Sequence, residues 1–118
     1  MAELVVADDE AWRDCLGVSP MAEDISGDEY VRELRIPGPD AELVQVTWDV
    51  TDDSVRIRHH RDGRIVADLF REMATLLTVA RTGLGAEVIL EYGSDGWLGR
   101  ARVRVRPTVL IDDQVLRS

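Results

Sequence analysis

Arginine is the residue whose spacing first suggests chemistry. Arg56 and Arg58 fall on alternate positions, as do Arg100, Arg102, Arg104 and Arg106. Alternate residues of a strand share one face, so each run would align guanidinium groups able to grip carboxylates or phosphates. All fourteen basic residues are Arg, and neither Lys nor Asn occurs. Lys and Asn are specified by AT-rich codons, so a GC-rich genome, expected to be bacterial, explains part of this preference without any selection for anion binding.

Other reactive types lack companions. Cys15 is the sole cysteine, which excludes an internal disulfide or a multi-cysteine zinc site and favours a reducing compartment, the cytoplasm. His59 and His60 are adjacent, and adjacent strand residues point to opposite faces, so they cannot readily chelate one metal. The carboxylate pairs Asp8-Asp9, Asp52-Asp53 and Asp112-Asp113 sit where turns and helix starts already call for Asp. Gly93, Gly96 and Gly99 lack the spacing of a dinucleotide loop, and a Walker phosphate loop needs a lysine. No serine lies in a nucleophile elbow. The sequence therefore offers no catalytic residue, no metal site and no cofactor site.

The elements that would position these groups follow from hydrophobic period. Asp8 reads as the N-cap of a short helix that ends at Gly17, with Trp12, Cys15 and Leu16 on one face. Residues 1–29 are otherwise irregular and acidic. Alternation over Tyr30–Ile36, Leu43–Val50 and Ser54–His60 predicts strands, the last two a hairpin. After Gly63 the period changes. Val66, Leu69, Phe70, Met73, Leu76, Leu77 and Ala80 recur at helical offsets, which predicts a long helix over residues 64–82 with these side chains in the core. Gly85–Tyr92 and Arg100–Arg106 alternate again, and Val109-Leu110-Ile111 is a short apolar run. The expected fold is α+β, one domain over 1–118. It is a mainly antiparallel sheet of about five strands, covered on one face by the long helix, with a short N-terminal helix. On that fold both arginine rows share the uncovered face.

Charge carries the functional reading. Residues 1–53 hold fifteen Asp and Glu against three Arg, a balance of −12, while residues 54–118 sum to +3. An overall −9 opposes nucleic acid, although the arginine face keeps polyanion binding as the alternative. The acidic start differs from a signal peptide, and no apolar run approaches the ~18 residues of a membrane span. The expected function is a noncatalytic protein-binding module, an adaptor or a neutralising protein of the immunity or antitoxin type, by analogy of charge and size alone. Its partner would be a basic protein, bound through Asp8, Asp9, Glu10, Asp28 and Glu29 around the aromatic residues Trp12 and Tyr30. A homodimer is expected, the acidic segment of one copy near the arginines of another. A small enzyme or ligand-binding domain is the remaining alternative.

Overall fold

The computed structural model describes residues 4–22, 30–83 and 85–117, with backbone alone at 116 and 117. Ten strands and one short helix follow in order: β1 (Val5–Val6), α1 (Asp9–Leu16), β2 (Met21–Ala22), β3 (Val31–Pro37), β4 (Glu42–Asp49), β5 (Ser54–Arg61), β6 (Arg64–Arg71), β7 (Ala74–Thr82), β8 (Gly85–Ser94), β9 (Trp97–Arg104) and β10 (Leu110–Arg117). They form two sheets of five, ordered β1-β7-β8-β9-β10 and β2-β3-β4-β5-β6. All pairings are antiparallel except that of β1 with β7.

The fold is thus mostly β, and the α+β expectation is corrected. Residues 64–82 form no helix but two strands, one in each sheet. Asp62 and Gly63 both adopt left-handed backbone, with φ of 52° and 77°, the pairing that a two-residue hairpin turn requires. An Asp-Gly between two alternating runs is itself a hairpin signal, and β6 pairs back along β5. Along β6 the half-buried residues are Ala67, Leu69 and Arg71, while Val66 and Phe70 are exposed. The helical spacing arose because apolar residues on the outside of β6 were combined with inward residues of β7. A register shift between Ala74 and Leu76 moved the second set out of phase with the first.

The inner faces merge into one core. Leu34, Ile36, Val44, Val46, Trp48, Val55 and Ile57 from one sheet cluster with Leu77, Val88, Leu90, Tyr92, Ala101, Val103 and Val105 from the other. Each of the larger side chains contributes roughly 1.5–3 kcal/mol by leaving water. Val46, Trp48, Val55, Ile57, Val103 and Val105 lie in the core as their alternation implies. Of the side chains assigned to the long helix, Leu77 is buried and Leu69 packs on the core, but Phe70 and Met73 are 42% and 47% exposed.

Residues 4–22 close one open side of the sandwich. Asp8 caps α1 by accepting from the Ala11 amide at 2.8 Å, and Gly17 ends it with φ 73°. Trp12 is fully buried, stacks on Trp48 at 6.0 Å, and donates its indole N–H to the Ala7 carbonyl at 3.1 Å. Arg32 of β3 reaches Asp9, and Arg81 of β7 donates to the Asp14 carbonyl. The helix therefore ties one sheet to the other.

Chemical denaturation should separate the two placements of Phe70. Leu90→Ala is expected to cost about 2–5 kcal/mol, and Phe70→Ala less than the ~3–5 kcal/mol of a core phenylalanine. A Phe70→Ala loss equal to or above that of Leu90→Ala would contradict its outward position.

Candidate functional site

The residues expected to meet a partner have different fates. Asp8 is occupied as a cap, and Asp9 lies 3.4 Å from Arg32. Glu10 is exposed and has no partner among the described residues. Trp12, with no exposed surface, is a core side chain and cannot serve as a surface anchor; its indole plugs the gap beside Trp48. Asp28 and Glu29 lie outside the described residues. Tyr30 is 53% exposed at the start of β3.

The single arginine face falls with the long helix. Arg56 and Arg58 lie on β5, whereas Arg100, Arg102 and Arg104 lie on β9 of the other sheet. Two sheets packed by their apolar faces turn their polar faces in opposite directions, so the rows cannot act as one surface. Acids also sit beside most of them. Arg56 and Arg58 share Asp68 at 3.1 and 3.4 Å, Arg100 meets Glu91 at 2.6 Å, and Arg104 lies 4.0 Å from Glu87. Arg106 donates to the Pro37 carbonyl at 3.3 Å, and Arg102 alone of the six has no partner among the described residues. Cross-strand register explains the pairing on β9, since Glu87 and Glu91 of β8 stand opposite Arg104 and Arg100.

His59 and His60 do point to opposite faces. His59 is buried against Glu42 at 3.2 Å, and His60 meets Gln45 at 2.9 Å. The Arg61 guanidinium, with His59 behind it, holds the Glu42 carboxyl below its ordinary range. Cys15 is half-buried in a cleft of about 350 Å³ with Ile36, Val105 and Arg106. Among the described residues no three His, Cys, Asp or Glu side chains converge on a metal position.

An open groove of about 500 Å³ occupies one end of the sandwich, lined by Phe70, Arg71, Met73, Tyr92, Trp97 and Val115, with Glu72 beside them. The β6–β7 connection lines it through Glu72 and Met73, the β8–β9 connection lies beside Trp97, and the β4–β5 turn is bonded to the first of these. The Ala74 amide donates to the Asp53 carbonyl at 2.9 Å, and the Gly93 amide to the Met73 carbonyl at 3.0 Å. This brings together the β4–β5, β6–β7 and β8–β9 turns. Asp113 of β10 fixes the floor, accepting from Arg71 and from the Tyr92 hydroxyl, each at 2.5 Å. Arg71 also lies over the Tyr92 ring, and that ring covers Gly99, where any Cβ would overlap it. Burial, helped by the Asp113 carboxylate, raises the Tyr92 pKa above the ordinary tyrosine value. Sequence reasoning missed the groove because it placed Phe70 and Met73 inside the core. The available signal was Asp62-Gly63, whose hairpin turn puts Phe70 on the outer face of β6.

No protein-family model matches the chain, and no curated protein matches it in sequence. The fold is similar to a chain of a contact-dependent growth inhibition toxin–immunity protein complex from Klebsiella pneumoniae 342. The TM-score is 0.80, with 9% identity, over 98% of this chain and 100% of that one. Among the described residues no helix is long and apolar enough to cross a membrane.

Two measurements follow from this geometry. In an absorbance titration Tyr92 should ionise above the ordinary tyrosine range, and Tyr92→Phe should remove that late step. Because the folded-state pKa is raised, the stabilisation is complete below the ordinary tyrosine pKa and is lost as pH climbs through the folded value. Generic DNA and RNA should fail to bind even at ~50 mM salt, where phosphate contacts are strongest. Binding that weakens steeply with salt would restore the arginines as a polyanion site.

Proposed function

We propose that this chain is a noncatalytic protein-binding module of the neutralising, immunity-protein kind, acting in a bacterial cytoplasm on a basic protein. The likeness in fold to a chain of a toxin–immunity complex, along nearly the whole length of both, carries the reading. Charge supports the choice of ligand. Glu10, Asp40, Asp52, Asp62, Glu72 and Asp95 are exposed and lack a cationic partner among the described residues, while most of the aligned arginines are held by acids. The field of such a surface accelerates encounter with a basic protein and selects against acidic ones. Blocking a partner by occupying its surface needs shape and charge, not a nucleophile.

Co-expression of the chain with the product of the neighbouring gene tests this reading. A stable complex is expected, with relief of any growth inhibition the neighbour causes and an association rate that falls as salt rises. A toxic neighbour that neither binds nor is relieved overturns the neutralising role, and turnover of a substrate by the chain alone overturns the noncatalytic one. Self-association is a subsidiary proposal, since β6 and β10 each leave one edge unpaired among the described strands. A single 13.2 kDa species in sedimentation at high protein concentration, in low and high salt alike, would overturn it.

A further inference from the structure

We propose that the groove between the β6–β7 and β8–β9 connections is where the basic partner docks, receiving one apolar side chain flanked in the partner by Arg or Lys. This rests on the reading of the ligand as a basic protein and assigns it a place that differs from the N-terminal acidic segment.

Three independent features converge on the groove. The first is exposed apolar surface. Phe70, Met73 and Val115 are 42%, 47% and 62% exposed around an open depression of about 500 Å³. The second is backbone strain. Met73 holds φ 56°, a left-handed conformation that glycine or asparagine takes with less cost than a long apolar side chain. The methionine held there leaves nearly half of its surface in water. Strained residues of this sort collect at binding sites, and Met is suited to adaptable apolar contacts.

The third feature is charge. Glu72, Asp52 and Asp95 are exposed on the three connections that meet here, without a cationic partner among the described residues. Two cations stand here, Arg71 in the lining and Arg56 over the Phe70 ring, and each is already engaged by an acid, Asp113 and Asp68. An incoming segment therefore meets an apolar centre with a negative rim, the arrangement in which a central anchor supplies affinity and peripheral charges supply orientation. A negatively charged segment would meet the Glu72 carboxylate in the lining, with Asp95 two residues before Trp97. A second copy of this chain would bring its own acidic surface against them.

The probe is a short peptide with Phe between two pairs of Arg, titrated into the isotope-labelled full chain. The Trp97 indole N–H signal is expected to shift while those of the buried Trp12 and Trp48 stay in place. Replacing the Phe of the peptide by Ala, or its Arg by Glu, should abolish the shift. Met73→Gly should leave the melting temperature unchanged or higher, because it relieves the left-handed strain, yet weaken the peptide about tenfold or more. Glu72→Gln with Asp95→Asn should weaken it and flatten its salt dependence. Three results overturn the proposal: no shift at Trp97, shifts confined to α1, or a Met73→Gly chain that is less stable and binds equally well. Shifts at α1 would leave the basic-protein reading standing. Docking at Trp97 by a chain that neutralises nothing would leave the groove standing without that role. A Trp97 signal that moves with protein concentration alone makes a second copy the occupant and overturns the basic one.

Discussion

Everything in this molecule depends on two alternating surfaces leaving water together. Neither sheet can bury its apolar face alone, because β4, β5, β8 and β9 each present a row of apolar or small residues on one side only. The rows of both sheets end in one cluster with Trp12 among them. That union dictates where polar groups go. Outward positions receive the charges, which pair across strands as Arg100 does with Glu91 and Arg56 with Asp68. Such exposed pairs contribute ~0–1 kcal/mol each, so they tidy the surface and do not hold the fold.

The two sides between the sheets are closed by different means. On one, α1 wedges an indole against Trp48 and reaches Arg32 and the Arg81 strand by polar contacts. On the other, Arg71 of β6 and Asp113 of β10 join across the gap, with the Tyr92 hydroxyl completing the set. The second closure is polar and partly open, which is why it leaves a groove instead of a core. For the docking proposed above, an unfinished closure of this kind is an advantage. Its apolar residues are held by rigid strands, and only short connections have to adapt.

Period-two alternation made β4, β5, β8 and the β9 arginines legible in the sequence, and cap chemistry made α1 legible from Asp8 to Gly17. Residues 64–82 were not legible by the same rule. An edge strand carries weak alternation because its outer residues, such as Ile65 and Phe70, are only partly shielded either way. A register shift then breaks the phase at Ala74, and summed across both strands the apolar positions imitate a helix. The local turn residues Asp62 and Gly63 outweighed that imitation, since two consecutive left-handed residues direct the chain straight back. The candidate surface suffered from the same misreading. The acidic excess was visible in composition, but which carboxylates border an apolar recess depends on three turns being brought together by pairing between distant strands.

The order of strands has a consequence for how the chain reaches this state. Strands β2–β6 form one sheet from the contiguous stretch 21–71, and β7–β10 come from the contiguous stretch 74–117. Successive strands within each stretch are joined as hairpins, so loop-closure entropy stays low and each can zip in sequence. The exception is the N-terminal strap. Val5 pairs with Leu76, and the amide of Ala7 meets the carbonyl of Leu77, so β1 and α1 find their berth only after β7 has joined β8. Residues 4–16 are synthesised well ahead of that berth, and the Val5–Leu76 pairing spans about seventy residues of chain. Their docking therefore closes the largest loop in the strand pairing, the step with the highest closure entropy. Until they dock, Trp48 has no ring above it, and the sandwich is a nearly complete structure waiting for its own beginning.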